Sequence, residues 1–174
     1  MSITKEYELR CNTTSDINEN LNVLMNLAKE CNHVTEMGVR ALVSTYAFLE
    51  GLKGRGKLIS IDIEPPSRFG GDLLEAERLA KEEGVDFTFI LADTLEVEIE
   101  ETDFLFIDTL HEYPQLKAEL ARHSDKARKY IGFHDTVSCE TELMPAINEL
   151  IAQGKWKIKE HHTNNNGILI LERC

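Results

Sequence analysis

Segments with the composition of β-strands alternate with segments that have the periodicity of helices, and this alternation most constrains the fold of the chain. Short apolar segments are each followed by a longer segment whose apolar residues fall on one helical face. This order is typical of βαβ units, in which helices cover a parallel sheet. We therefore predict an α/β fold with a Rossmann-like, doubly wound sheet in one domain, residues 1–174.

The same pattern predicts where the elements lie. Strands are expected at 33–37, 57–63, 87–91, 104–107, 130–133, 156–161 and 168–172. Helices are expected at 16–31, 41–52, 71–83, 114–127 and 140–153, and Pro145 would delay or kink the last one. Asp16 and Glu19 have the spacing of a capping box at the start of the first helix. Residues 1–32 would form an N-terminal extension and helix that can cover a site.

The last two strands are joined by Asn164, Asn165, Asn166 and Gly167. An Asn-Gly pair between strands is a strong signal for a hairpin. We therefore expect a mostly parallel, seven-stranded sheet with one antiparallel C-terminal strand. We also expect this polar hairpin, with His161 and His162, to face solvent rather than to bind a metal.

Composition limits the classes of function. The chain carries 31 acidic and 19 basic residues, a formal net charge of -12, which disfavours binding to nucleic acid. Its apolar runs are too short for a membrane span, and its first residues lack the pattern of a signal peptide. The four cysteines lack the spacing of a zinc site, which is typical of free thiols in a reducing compartment. We expect a cytoplasmic protein that does not bind membranes.

Acidic residues lie at or just after the carboxyl ends of the first five predicted strands. They are Glu36, Asp62, Asp93, Asp108 and Asp135. A single acid at such a position is common at helix caps, but five in succession indicate a site. In open α/β sheets, ligands bind outside the carboxyl ends of the strands. Asp62 has the separation from Gly38 expected of an acid that binds ribose hydroxyls, and Asp93 could accept the amino group of adenine or cap the next turn.

The loop after the first strand contains a single glycine, Gly38, which permits close approach of a ligand to the backbone. A dinucleotide would bring its pyrophosphate to the following helix, where the carboxylate of Glu36 would repel it. A cofactor with an ammonium and a sulfonium group would be attracted. This charge favours S-adenosylmethionine over NAD or FAD. Ser44 and Thr45 are close enough in sequence to contact the cofactor, or bond to the preceding helical turn.

These residues resemble those of the class I S-adenosylmethionine-dependent methyltransferases, and most closely the group called methyltransferase domain 24. The resemblance rests on Glu36-Met37-Gly38-Val39, Ser44-Thr45, Ile61-Asp62, Ala92-Asp93, Ile107-Asp108 with His111 and Tyr113, and His134-Asp135-Thr136. It implies that Glu36, Gly38, Ser44 and Thr45 border the methionine part of the cofactor, with Val39, Arg40 and Ile63 as further contacts. It also implies that Asp62 binds the ribose, that Asp93 and Thr94 flank the adenine, and that Asp108 lies beside the methyl group.

The resemblance also bears on a metal. Relatives commonly have Asp-Gly-Asp-His after the fourth strand, and some bind magnesium there together with the acid after the fifth. This chain has Leu110 in place of the second acid. Asp108 and Asp135 could still share a divalent metal such as magnesium, with His111 or His134 nearby, but two carboxylates and water supply few protein ligands. The metal is therefore left open.

A hydroxyl acceptor must lose a proton, and histidine has an ordinary pKa of ~6.5 that suits a general base. His111 and His134 are the candidates, so the predicted catalytic residues are Asp108, His111, His134 and Asp135. Alternatively, His134 packs the end of the strand and His111 adjoins a helix cap.

We therefore expect an S-adenosylmethionine-dependent methyltransferase that acts on an oxygen of a small molecule or glycan. The alternative is an inactive cofactor-binding module that acts through a protein partner. An NAD or nucleotide-sugar enzyme is disfavoured by Glu36. A homodimer could complete the pocket of so small a domain.

Overall fold

The computed structural model describes all residues, 1–174. Its strands are β1 (His33–Met37), β2 (Lys57–Asp62), β3 (Asp86–Leu91), β4 (Thr102–Ile107), β5 (Ala127–His134), β6 (Trp156–His162) and β7 (Ile168–Arg173). Its helices are α1 (Ile3–Asn12), α2 (Leu21–Lys29), α3 (Val43–Leu52), α4 (Leu73–Glu82), α5 (Tyr113–His123) and α6 (Glu140–Ala152). Short 3-10 turns lie at Asn18–Asn20, Pro66–Phe69 and Ser124–Lys126. None of the six helices has the length and apolarity needed to cross a membrane.

The strands form one sheet in the order β3-β2-β1-β4-β5-β7-β6. Neighbours among β1 to β5 are parallel, and β7 is antiparallel to β5 and to β6. The predicted α/β fold with one antiparallel C-terminal strand is confirmed. The chain builds outward from β1 to β3 and then returns to the other side of β1. Ligands of such sheets bind at this switch point, outside the carboxyl ends of β1 and β4.

Helices bury a separate apolar core on each face of the sheet. On one face, residues of α1 to α4 join a cluster in which Phe48 meets Phe104 and Phe106 at ring-centroid distances of 5.7 and 5.3 Å. On the other face, Leu120 of α5 and Ile147 of α6 pack over the same strands. Burial of each large apolar side chain contributes ~1.5–3 kcal/mol. The two cores therefore hold the carboxyl ends of the central strands in fixed positions.

The N-terminal region differs from its prediction. Helix α1 was not predicted, because its buried residues are only Ile3 and Glu6, which give little apolar periodicity. The second helix, α2, begins at Leu21 rather than Asp16, and the capping box is wrong. The side chain of Asp16 instead pairs at 3.0 Å with Arg40 of the loop after β1.

On the opposite face, the end of α5 differs from its prediction and the start of α6 agrees with it. Helix α5 ends at His123 and not at 127, because Ala127 already pairs as the first residue of β5. Helix α6 begins at Glu140 as predicted and continues through Pro145, so the proline does not delay its start.

The turn between β6 and β7, residues Asn164–Gly167, is here called the asparagine turn. His161, Asn164 and Asn166 are exposed, as expected, but the turn also contacts other segments of the chain. Asn165 Nδ2 donates to the carbonyl of Ser15 at 2.8 Å. The carbonyl of Asn166 accepts from the backbone N–H of Val137 at 2.9 Å. The turn thus joins the N-terminal segment to the loop after β5.

Candidate functional site

A cleft of ≈ 400 Å³ opens at the carboxyl ends of the parallel strands. The loops after β1, β2, β3 and β4 and the first turn of α5 form its walls. The predicted cofactor-binding residues that line it are Gly38, Arg40, Asp62, Ile63, Asp93, Thr94 and Asp108. The other lining residues are Ile61, Ala92, Thr109, Leu110, His111 and Gln115. Glu36, Val39, Ser44 and Thr45 were also predicted, but they lie outside the lining.

Gly38 allows the loop after β1 to pass against the end of β4. Its φ is +85°, and a Cβ at this position would lie 1.9 Å from the carbonyl oxygen of Asp108. No L-residue fits there without displacing the strand end. Arg40 and Leu42 also have positive φ values, +47° and +64°, so the loop is strained before α3 begins. Such strain is concentrated at functional sites.

Asp62 binds the backbone of this loop. Its Oδ2 accepts from the N–H of Val39 at 2.7 Å and from the N–H of Arg40 at 3.1 Å. Its Oδ1 accepts from the N–H of Glu64 at 2.9 Å. Backbone N–H groups in a loop before a helix are the donors that bind phosphate in nucleotide-binding proteins. In this protein a carboxylate of the chain itself already occupies them.

Glu36 lies beneath the cleft and is fully buried. Its carboxylate accepts hydrogen bonds from the hydroxyl groups of Ser44 at 2.5 Å, Thr45 at 2.8 Å and Ser60 at 2.6 Å. Burial raises the pKa of Glu36 to about 7, and repulsion from Asp108 adds to the rise, while the three hydroxyl donors oppose it. Glu36, Ser44 and Thr45 therefore form a support under the loop and do not border the cleft.

A second buried carboxylate, Glu119 of α5, was not predicted. It accepts from the hydroxyl of Thr94 at 2.5 Å and from the hydroxyl of Thr109 at 2.9 Å. It thereby connects the loops that follow β3 and β4. The available signal was a glutamate on the buried face of α5, beside Leu116 and Leu120. Asp93 itself accepts from the backbone N–H two residues ahead, at 2.8 Å, and still lines the cleft.

The four predicted catalytic residues come together at one end of the cleft, and we call them the Asp–His cluster: Asp108, His111, His134 and Asp135. His111 Nε2 lies 3.3 Å from Asp108 Oδ1 and 3.0 Å from Asp135 Oδ2. His134 Nδ1 lies at the same two distances from the same two oxygens. Asp108 Oδ1 and Asp135 Oδ2 therefore each lie close to both imidazoles.

This sharing sets the protonation of the cluster. Hydrogen bonds to Asp108 and Asp135 raise the pKa of His111 to about 10. Burial opposes the same effect at His134, but the two carboxylates still raise its pKa to about 10. Although burial favours neutral acids, the imidazoles hold the pKa of both aspartates below the usual range. At neutral pH both histidines are cations, which differs from the near-neutral pKa on which their predicted role as bases depended.

Neighbouring segments fix the cluster in position. Asp135 has a φ of +58°, and its Oδ1 accepts from Asn166 Nδ2 of the asparagine turn at 3.0 Å and from the hydroxyl of Ser138. The second ring nitrogen of His134 lies 3.0 Å from the carbonyl oxygen of Asp16. The N-terminal segment and the C-terminal hairpin thus both contact the end of β5. Neither contact was predicted.

The cluster also offers metal ligands. Asp108, His111 and Asp135 each present one ligand atom, and these atoms lie within 4.8 Å of one another. Two carboxylate oxygens and one imidazole nitrogen fit a divalent cation. The imidazole favours manganese or zinc, because magnesium prefers oxygen ligands alone.

Comparison with known proteins shows that the fold is similar to that of several solved structures. No family model matches the chain, and no curated protein matches its sequence. Among solved structures, an O-methyltransferase from Bacillus cereus in complex with SAH has a TM-score of 0.66 at 15% identity, over 99% of this chain and 90% of that one. A Podospora anserina methyltransferase bound to SAH has a TM-score of 0.65 at 11% identity, over 99% and 87%. Aeropyrum pernix fibrillarin with S-adenosyl-L-methionine has a TM-score of 0.64 at 19% identity, over 87% and 72%. At these identities, the chain shares its Rossmann-like α/β fold with these methyltransferases.

Proposed function

We propose that this protein is an S-adenosylmethionine-dependent methyltransferase that methylates an oxygen of a small molecule or glycan. One observation carries the proposal: Asp62 occupies the N–H groups of Val39 and Arg40 that a pyrophosphate would need. A dinucleotide would have to displace that carboxylate. A cofactor without phosphate does not, and it can use the remaining acceptor capacity of the same carboxylate for its ribose hydroxyls.

The lining of the cleft suits the parts of this cofactor. Ile63 and Leu110 are apolar and strongly exposed, 68% and 56%, which is typical of side chains that cover a ligand. They offer contact to a purine ring, and Asp93 offers an acceptor to its polar edge. Asp108 presents a carboxylate at one end of the cleft, although His111 and His134 share its charge. The basic groups of the lining are both paired with acids: Arg40 with Asp16 at 3.0 Å, and His111 with Asp108 and Asp135.

The similar structures add support from their ligands. Two of the three described above contain SAH and one contains S-adenosyl-L-methionine. Two are named methyltransferases, and the Bacillus cereus protein is named an O-methyltransferase. A shared fold does not by itself give a shared function, so the proposal depends on the residues of this cleft.

The reaction requires an acceptor oxygen in line with the methyl group and removal of the acceptor proton. When bound, S-adenosylmethionine supplies the electrophilic methyl group. Asp108 would orient the acceptor beside it. His111 and His134 do not accept a proton while they are paired with the aspartates. A divalent cation held by Asp108, Asp135 and His111 would supply Lewis-acid chemistry that lowers the pKa of a bound hydroxyl, so that its proton could leave to solvent.

The remaining segments suit a small acceptor. We propose that residues 1–32 complete the wall of the site, because the carbonyl of Asp16 contacts His134 and its carboxylate pairs with Arg40. Segments this short leave room for a small molecule or a glycan unit. The four cysteines are unpaired, which supports a reducing compartment such as the cytoplasm.

The alternative function, a cofactor-binding module without transfer activity, is favoured by one observation. Both histidines of the Asp–His cluster lie 3.0–3.3 Å from carboxylate oxygens of Asp108 and Asp135, and this pairing raises the pKa of each imidazole and makes it a poor base. Conversion of S-adenosylmethionine to SAH, measured with a broad panel of hydroxyl acceptors and with manganese or magnesium, separates the two functions. Tight binding without turnover would favour the module.

Titration calorimetry with S-adenosylmethionine and with NAD tests the cofactor itself. Wild-type protein is expected to bind the first and not the second, and Asp62→Ala to lose that binding. Asp86→Ala is the matched control, because Asp86 begins β3 at the opposite edge of the sheet. Absence of binding by wild type, unchanged binding by Asp62→Ala, or tight binding of NAD would refute the proposal.

A further inference from the structure

Gln115, in the first turn of α5, lines the cleft with its side-chain amide. Its Nε2 donates to Glu119 Oε1 at 2.9 Å and lies 3.4 Å from Thr94 Oγ1. The amide has two N–H donors, and both are directed at groups of the protein. The carbonyl oxygen of Gln115 has no protein partner among the hydrogen bonds of the structure. It is therefore the half of the amide that is free to bind a ligand in the cleft.

Glu119 determines this orientation. Its carboxylate is fully buried and accepts from Thr94 and Thr109 as well as from Gln115. A carboxylate has acceptors only, so a reversed amide would bring the carbonyl oxygen of Gln115 against a negatively charged oxygen. The two threonines hold the carboxylate between the loops after β3 and β4. The direction of the Gln115 amide is thus fixed by the fold before any ligand binds.

We propose that Gln115 determines the base specificity of the cofactor site, with Glu119 as the positioning residue. The carbonyl oxygen of Gln115 accepts a hydrogen bond from the exocyclic amino group of a 6-aminopurine. This inference rests on the proposed function, since it requires a purine nucleoside in the cleft. The base lies on the β3 side because Gln115 contacts Thr94, which adjoins Asp93, while Asp62 is left for the ribose.

The proposal makes a specific distinction between two bases. A 6-oxopurine replaces the amino donor with a carbonyl acceptor, which would face the carbonyl of Gln115. A site that hydrogen-bonds one group rejects the analogue that leaves its polar atom unpaired. The structure thus predicts selection of adenine over hypoxanthine, although the outer shape of the two bases is nearly the same.

The test is calorimetry with two probes, S-adenosylhomocysteine and its 6-oxo analogue S-inosylhomocysteine. Wild type is expected to bind the adenine form more tightly by roughly tenfold or more. Gln115→Met keeps the length of the side chain and removes its carbonyl, so the ratio of the two dissociation constants should fall by roughly tenfold. Lys117→Met is the control, because Lys117 pairs with Glu149 on the outer surface of the same helix.

Glu119→Gln provides a second variant, in which Gln115 is kept and the partner of its amide is changed. It adds a donor next to the amide and allows the amide to reverse, so the ratio is expected to fall here too. The 6-oxo analogue should then gain affinity in absolute terms, an effect that simple loss of packing would not produce. If wild type binds neither probe, the proposed function fails and this inference fails with it. If wild type binds S-adenosylhomocysteine but Gln115→Met keeps the wild-type ratio, only the inference is overturned.

Discussion

Replacing Glu36 with glutamine should change the pH dependence of folding stability. In the native protein the Glu36 carboxyl is fully buried, and its pKa rises from 4.5 to about 7 mainly because burial disfavours the charged form. The unfolded chain has no such environment. The folded state therefore binds the proton of Glu36 more tightly than the unfolded state does. The contribution of this group is fully present below the unfolded pKa and is lost as the pH rises through the folded value.

The size of the loss follows from the shift. Each pKa unit corresponds to ~1.4 kcal/mol, so ionised Glu36 lowers the free energy of unfolding by ~3 kcal/mol above pH 7. Glutamine carries no charge at any pH. It can still accept from Ser44 and donate to a rotated hydroxyl of Ser60, so its hydrogen bonds can be kept. Glu36→Gln is expected to resemble wild type near pH 5 and to exceed it by ~2–3 kcal/mol near pH 8.

Urea unfolding at several pH values between about 5 and 8.5, with chelator present, measures this difference. The histidines of the Asp–His cluster also titrate, but they do so in both proteins and cancel in the comparison. Glu77→Gln is the matched control, since it removes the same charge from an exposed position of α4. If the stabilities of wild type and Glu36→Gln run parallel across this range, the assignment of a raised pKa to Glu36 is refuted.

Three further predictions concern the cleft. Affinity for S-adenosylmethionine should increase as the pH rises through about 7, because its sulfonium favours the ionised form of Glu36. SAH has no sulfonium, so its affinity should change less. Calorimetry at pH 6 and pH 8 measures both affinities, and equal changes for the two ligands would contradict the coupling to Glu36. Gly38→Ala should lower the denaturation midpoint much further than Gly54→Ala. At Gly54 there is open space around the added Cβ, so alanine there costs only the left-handed strain of ~1–2 kcal/mol. Equal decreases of the midpoint would exclude the close approach of Gly38 to Asp108. Manganese binding at pH 7.5 should release protons, because a histidine ligand must be deprotonated and the pKa of His111 is about 10. Calorimetry in two buffers of different ionisation enthalpy detects the release, and His111→Ala should lose it.

The strands were predictable from the sequence because each is recorded in a short local pattern. Residues 104–107 are apolar throughout, as a central strand with two covered faces requires. Helix α1 lacks such a record, because only two of its side chains are buried and one of them is charged. The asparagine turn was predictable as a turn, from its Asn-Gly pair. Its docking on Ser15 joins positions 150 residues apart, and no local pattern contains that information.

Part of the site was predictable for a similar reason. Acids at the ends of parallel strands must meet at one edge of a sheet, so Asp108 and Asp135 were expected to be close. The roles of individual atoms depend on donors contributed by other segments. The hydroxyls of Ser44, Thr45 and Ser60 converge on Glu36, and these residues come from α3 and β2. The sequence shows these side chains but does not show that they converge.

Four of the five strand-end acids therefore have three distinct tasks, and their hydrogen-bond donors distinguish them. Backbone N–H groups bind Asp62 and make it the anion of the loop, hydroxyls keep Glu36 buried as a support, and imidazoles make Asp108 and Asp135 half of an ion-paired cluster. From the sequence, the charge of Glu36 was expected to repel a pyrophosphate. In the structure that role passes to Asp62, because it directly occupies the N–H groups that a phosphate would use. Selection against phosphate thus needs no charge under the loop, and it would persist even at a pH where Glu36 is neutral.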